Sequence, residues 1–374
     1  MKKILFVSHD ASRTGAPILL LNLIRWLKET EQAESFILLL ASGPLQPEFE
    51  QVGKVVLWKK YIELVSKSRN SHGFVRRKIL NQQIKLFKRN VKIEIKSFSP
   101  ELIYFNTVAT FKFLKSNYDL FLDYKLILHI HEMPFTIKNY ISGFSSTTLN
   151  PFSKIIVVNS VIENFILANL IESQRVLKVT EYLVKIPTGG NTDENRNEVF
   201  TVLGVGYAGW RKGTDLFIQT AYYFSRIFAK PFLFKWVGEL PDNLRGQVEH
   251  DLSFMNIQNC VEFTGPQANV SVFYKQCDVF FLASREDPYP LVMLEAGAHK
   301  KPIVYFMGSG GADEFVDTNG KCVEHFDPVL AAQAIHEIYH DYKFAETKAN
   351  HLAEKIPLHS IELVGKKIIN FIGS

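Results

Sequence analysis

Residues 277–315 read CDVFFLASREDPYPLVMLEAGAHKKPIVYFMGSGGADEF, and this pattern decides the fold. Asp278–Ala283 is the apolar run of a buried strand. Ser284–Pro290 is a polar, proline-rich turn and Leu291–Ala298 a short apolar helix. Pro302–Phe306 is a second buried strand that runs into Gly308-Ser309-Gly310-Gly311. Strand, loop, helix, strand, loop is a βαβ unit with its polar residues where the strands end. Glu295 is the odd member, a carboxylate inside an apolar helix. A buried carboxylate is costly unless paired or hydrogen-bonded. It therefore reaches solvent by the helix geometry or faces a polar cleft.

The alternation extends in both directions. Upstream, apolar runs at Lys3–Ser8, Ser35–Ala41, Val55–Trp58, Leu102–Thr107, Lys125–His131 and Ile155–Ser160 predict strands, with helices at Ala16–Glu29 and Val161–Leu170. Ile186–Glu198 is polar, carries Pro and Gly, and reads as a linker. The pattern restarts with a strand at Val199–Val205, a helix at Asp215–Phe228, and strands at Phe232–Val237 and Val261–Phe263. Helices near Pro328–Tyr342 and Ile361–Ile372 finish the chain. Strands apolar throughout belong to parallel sheets covered on both faces. The predicted class is α/β, two tandem doubly wound Rossmann-like domains, 1–188 and 189–355. A closing helix, 356–374, is expected to pack back on the first. Ligands of such sheets bind at the carboxyl ends of the strands, so an interdomain cleft is the expected site.

Composition excludes several classes. The 374 residues suit two domains, and 47% apolar with 22% charged residues is an ordinary globular balance. Three cysteines without a CxxC pair, and eleven histidines without metal-ligand spacing, speak against a disulfide scaffold or a zinc site. They fit a reducing cytoplasm. The first residues do not read as a signal peptide, and no apolar run reaches the roughly 18 residues of a membrane span. The net charge of +5 is uneven: residues 59–96 hold twelve Lys and Arg against Glu63 and Glu94, and the rest of the chain is acidic.

Several constellations could carry chemistry. Gly204-Val205-Gly206-Tyr207-Ala208-Gly209 spells a dinucleotide-type glycine pattern, but Trp210-Arg211-Lys212-Gly213 intervenes before the helix and no ribose-binding acid follows at the required distance. A glycine loop with Arg211 and Lys212 at a helix start instead suits a phosphate, or is an ordinary turn with a solvated basic pair. Asp287 and Glu295 stand eight residues apart, before and inside one helix. They could act as acid and base or hold sugar hydroxyls, while Asp287 alone suits a helix cap. The glycines at 308–311 let backbone approach a ligand or make a tight turn. His129 and His131 end a buried strand on one face, His131 nearer the tip. His9, Asp10 and Gly15 follow the first strand on the same edge.

Together these residues resemble the retaining nucleotide-sugar glycosyltransferases of the GT-B fold, glycosyltransferase group 1 (GT4). The carrying pieces are residues 202–206 with Arg211-Lys212-Gly213, Trp236-Val237-Gly238, Phe263-Thr264-Gly265, and the block 284–296, which is similar to the family's E-x7-E motif. Gly15-Ala16-Pro17 and His131 also match in place. Three departures stand out. Asp287 holds the first acid position by spacing, with Glu286 beside it, so which of the two serves stays open. Tyr207 replaces the usual Arg after the loop glycine, and Arg211 is the candidate substitute. One glycine, Gly15, stands where many members have two.

The resemblance implies a hexosyltransferase moving sugar from a nucleotide-diphosphate sugar to a glycan or lipid-linked acceptor, in bacterial surface polysaccharide, lipopolysaccharide or glycolipid synthesis. It implies Glu295 on the ribose; Lys212 with Arg211 on the diphosphate; Asp287 or Glu286, Leu291 and the amides near Gly310 and Gly311 on the donor sugar; and Gly206 and Gly15 leaving room. His131 would stand near the reacting carbon on the acceptor domain. No metal or other cofactor and no nucleic acid is expected. Residues 59–96 suit peripheral attachment to an anionic membrane, or a solvated helix face. Alternatives are a catalytically weak nucleotide-sugar-binding partner of a synthesis complex and a GT-B nucleotide-sugar epimerase.

Overall fold

The computed structural model describes residues 1–70, 74–169, 172–183 and 198–374. The chain divides into two compact units. One comprises Met1–Val179 with Ile361–Ser374, the other Thr180–Ser360. These bounds differ from the expected domains: the chain leaves the first unit at Val179 rather than 188, and the second ends at Ser360 rather than 355. Apart from Glu198, the stretch expected as a linker lies outside the described residues.

The first unit holds seven strands: β1 (Lys2–Ser8), β2 (Ala33–Leu39), β3 (Lys54–Leu57), β4 (Leu102–Asn106), β5 (Lys125–Ile130), β6 (Lys154–Val157) and β7 (Val176–Lys178). They pair in parallel in the order β3-β2-β1-β4-β5-β6-β7. Ile4–Val7 and Ile103–Phe105 are wholly buried, as strands covered on both faces require. The last helix, Ile361–Gly373, belongs to this unit and packs on the helix Gly15–Glu29. Gly365 lets it approach: a Cβ there would stand 2.7 Å from the Trp26 ring.

The second unit repeats the plan. Its strands are β8 (Phe200–Val205), β9 (Phe232–Val237), β10 (Val261–Phe263), β11 (Val279–Leu282), β12 (Ile303–Phe306) and β13 (Lys321–Val323). They are parallel in the order β10-β9-β8-β11-β12-β13. In each sheet the order reverses beside the unit's first strand, between β1 and β4 and between β8 and β11. The helices leave toward opposite faces there, which opens a crevice at the strands' carboxyl ends.

Phe217, on the helix Thr214–Ile227, centres the second core. It lies 5.3, 5.1 and 6.0 Å from the rings of Phe234, Trp236 and Phe281 and is fully buried. Aromatic clusters of this kind contribute both buried area and edge-to-face contact. Phe217→Ala should cost about 3–5 kcal/mol in a urea titration followed by tryptophan fluorescence. A loss under about 1 kcal/mol would remove Phe217 from this role.

Candidate functional site

At the reversal of the second sheet, the loop after β8 meets the loop after β11. The first, Gly206–Gly213, ends in a left-handed glycine. Gly213 has φ +67°, and a Cβ there would stand 1.9 Å from the Ala283 carbonyl oxygen. That close approach brings Lys212 to Asp287, where ammonium and carboxylate form an ion pair. The Asp287 side chain is only 8% exposed and also accepts from the Ser284 hydroxyl at 3.2 Å. Arg211 donates to the Glu286 carbonyl at 2.9 Å and lies 3.9 Å from Asp287, with its side chain half exposed. Gly206 underlies the lysine: a Cβ there would stand 3.3 Å from Lys212 Cε.

A third loop closes on the backbone of the same residue. Asp287 N–H donates to the Ser309 carbonyl at 2.7 Å and Gly311 N–H to the Pro288 carbonyl at 2.8 Å. Gly310 has φ +142°, and a Cβ would stand 1.8 Å from the Asp287 carbonyl oxygen. The glycines of 308–311 thus serve a close backbone crossing at Asp287. Asp287 is not a helix cap: the helix Leu291–Ala298 starts after Pro290 with no side-chain cap, because the carboxylate is turned to Lys212. Between Glu286 and Asp287, Asp287 is the one on the lysine.

Glu295 sits one turn into that helix and is held separately. Its carboxylate accepts from the Tyr274 hydroxyl at 3.0 Å. Burial pushes its pKa up, and the tyrosine hydrogen bond partly opposes this. Burial and the nearby carboxylate push the Tyr274 pKa well up, so its hydroxyl remains a donor. The structure therefore joins Lys212, Arg211 and Asp287 in one cluster and places Glu295 in another, on the same helix start. Leu291 opens the helix and is half-buried.

Sequence reasoning missed two supports here. One is Tyr274. The other is Arg285, which grips Asp215 through two hydrogen bonds of 2.7 and 2.6 Å, donates to the Trp210 carbonyl at 2.9 Å and packs on the Trp210 ring. This ties the start of the helix Thr214–Ile227 to the loop that carries Asp287. Its only signal was an Arg beside two acids in a turn.

The first unit gathers polar groups at its own reversal. His131, just past β5, lies 3.0 Å from Asn106 Oδ1, and Asn106 Nδ2 donates to the Ala16 carbonyl at 3.0 Å. Thr107 follows β4 with φ 82°, a costly conformation for a β-branched residue, and its hydroxyl lies 3.5 Å from His9 Nδ1. Glu132 accepts from the backbone N–H of Val108 and His131. Burial raises its pKa against those bonds and the His131 charge. His129 is core, 3% exposed, with Tyr104 on its Nδ1 and its pKa pushed well down by burial. Burial also lowers the His9 pKa, against Asp10. At Gly15 an added Cβ meets nothing within 4 Å, so the space there is open. Asn106 and Glu132 were visible only as polar strand ends.

The raised Glu295 pKa has a stability consequence. A carboxyl with a raised folded pKa contributes stability below its unfolded range, and this is lost as pH rises through the folded value. Glu295→Gln cannot ionise but still accepts from Tyr274. Its thermal midpoint relative to the parent should therefore be higher at pH 7 than at pH 4. An equal difference at both values would contradict the burial of this carboxylate.

Residues 198–341 match the family model for glycosyl transferases group 1. No curated protein matches the chain. Solved structures are similar over its whole length. Anabaena HepE in complex with UDP-glucose has TM-score 0.77 and 18% identity, with 100% of each chain covered. Sucrose-phosphate synthase from Thermosynechococcus elongatus has 0.74 and 16%, covering 100% of this chain and 98% of that one. A mutant of S. aureus TarM, in complex with Fondaparinux, alpha-GlcNAc-glycerol and UDP, has 0.74 and 13%, with 100% of both covered. These likenesses show the fold: two Rossmann-like units of the GT-B class, the second carrying the group 1 glycosyl transferase match.

Proposed function

We propose that the chain is a retaining glycosyltransferase of GT4 type, moving a hexose from a nucleoside-diphosphate sugar to a glycan or lipid-linked acceptor. The Lys212–Asp287 pair at the sheet reversal carries the reading, because it fixes a cation beside the start of a helix where a diphosphate binds. The group 1 match over residues 198–341 supports it, as do a similar fold solved with UDP-glucose and another with UDP.

In this reading Lys212 and Arg211 neutralise the departing diphosphate, electrostatic stabilisation where charge develops. No metal is required for that step. Glu295 takes the ribose hydroxyls, steadied by Tyr274. Asp287, Leu291 and the Gly310 amide hold the sugar; the Gly311 N–H, expected to join them, is taken by the Pro288 carbonyl, and Gly206 lets Lys212 lie close to the backbone. Gly15 leaves room for the donor phosphates, and the acceptor is taken by the first unit, where His131 and Asn106 offer hydrogen bonds. The acceptor oxygen forms its bond to the anomeric carbon on the face the leaving phosphate vacates. The bond from that carbon to the phosphate oxygen breaks, and the acceptor proton passes to the phosphate. The place of action is the cytoplasm, in assembly of surface polysaccharide or glycolipid.

Removing Lys212 alone would strand a buried carboxylate, so the test removes both charges. Lys212→Ala with Asp287→Asn should fold with unchanged far-UV circular dichroism and lose acceptor-dependent nucleotide release from a panel of UDP-, GDP- and ADP-sugars by about 10²–10³-fold. EDTA should leave the parent's rate unchanged. Near-parental release by the double variant would overturn the site. A change of donor stereochemistry without acceptor would point to an epimerase.

A further inference from the structure

The basic segment folds as two helices, Lys59–Arg69 and Phe74–Phe98, packed on each other. The second helix runs back along the sheet between β3 and β4. Phe98 packs on Phe36 of β2 at 5.5 Å, and Phe87 on Trp58, the residue after β3, at 5.6 Å. The stretch from 98 to 87 therefore matches the height of the sheet, at about 1.5 Å per residue. Residues before Phe87 continue about 18 Å past the edge where the strands end. The first helix goes with them: Ser68 donates to Asn81 Oδ1 at 2.7 Å. The pair stands out from the edge that carries His131 and Asn106.

The outward face of the long helix is apolar. Val75, Ile79, Leu86 and Ile93 are 69, 50, 55 and 52% exposed. At about 100° per residue they fall within roughly 40° of one another, a single stripe. Val91 and Ile95, buried against the sheet, lie on the opposite side. Along one flank of the exposed stripe run Lys78, Lys85, Arg89 and Lys96, all exposed and within about 40° of one another. An apolar ridge with a basic row beside it is the pattern of a helix lying in a lipid interface.

Charge and shape select among occupants. A second copy would bring two strongly basic faces together, and the twelve Lys and Arg of 59–96 against two Glu make that repulsive. The stripe is aliphatic and offers no ring to stack on a base. An anionic bilayer satisfies both features at once, headgroup phosphates on the lysines and acyl chains under the aliphatic side chains.

We propose that the helix Phe74–Phe98 docks this chain on an anionic lipid surface, seating Val75, Ile79, Leu86 and Ile93 below the headgroups and Lys78, Lys85, Arg89 and Lys96 among them. The docking is independent of sugar transfer and goes beyond the function above. It also places the polar edge of the first unit close to the surface.

The test is co-sedimentation of the full chain with vesicles of phosphatidylcholine alone or with an equal part of phosphatidylglycerol, without donor or acceptor. The chain should bind the anionic vesicles only, less tightly at high salt. Ile79→Asn with Leu86→Asn leaves the charge unchanged and alters two exposed residues. It should weaken binding at least about tenfold with unchanged circular dichroism. Lys78→Gln, Lys85→Gln and Arg89→Gln together should abolish the preference for phosphatidylglycerol. Absence of binding to anionic vesicles, undiminished binding by the asparagine variant, or a parental dimer in light scattering that the asparagine variant splits would overturn the proposal.

Discussion

A parallel sheet whose strand order reverses must send its connections to opposite faces, and the gap this leaves cannot be filled by the sheet itself. In the second unit that gap lies between the loops after β8 and β11, and the Lys212–Asp287 ion pair spans it. The pair demands close backbone. Gly213 presses on Ala283 and Gly310 on Asp287, each in a conformation and at a distance that a side chain would forbid. A buried ion pair contributes little net stability, since desolvation offsets much of the attraction. Its persistence here fits a geometric role, holding a cation at a fixed point beside the helix start.

The two units use one constraint for different chemistry. In the second, the reversal presents lysine and arginine, with a half-buried carboxylate nearby on Glu295. In the first, it presents histidine, asparagine, threonine and a half-buried glutamate, groups that exchange hydrogen bonds with hydroxyls. Cations dominate one reversal and mixed polar groups the other, a division that suits the transfer proposed above. The strained backbone of Thr107 lies in the second of these sets, where a sparsely populated conformation is held by its neighbours.

Most strands were legible because a strand buried on both faces must be apolar throughout, and Val261–Phe263 and Phe232–Val237 were read to the residue. What escaped was what burial does not mark. The strands β7 and β13 are the outer edges of their sheets, and of their six residues only Val323 is buried, so they lack the apolar mark. The helix Asp242–Phe254 buries only Val248 and Leu252, and the helix Tyr342–Lys355 only Ala349 and Leu352, so neither shows a clear apolar stripe. In the site, Lys212, Asp287 and Glu295 stood out as polar groups at strand ends and in an apolar helix. Their partners did not. Lys212 and Asp287 are 75 residues apart, and Tyr274 reaches Glu295 from a different helix. Spacing along the chain carries no information about such contacts. The exposed stripe of the helix Phe74–Phe98 was hidden for a related reason: its sequence shows two apolar faces, and only packing tells which one is covered.

The central claim is that the second unit is built around a nucleoside diphosphate. The most direct measurement is a thermal-shift series of the parent chain and Glu295→Ala with UDP, GDP and ADP. One of the three should raise the parent's midpoint, as expected for a ligand bound only by the folded state, with about 2.7 kcal/mol of stabilisation at a hundred times its Kd. The same nucleotide should shift Glu295→Ala far less. No shift from any of the three at millimolar concentration, or an equal shift in the variant, would contradict the account.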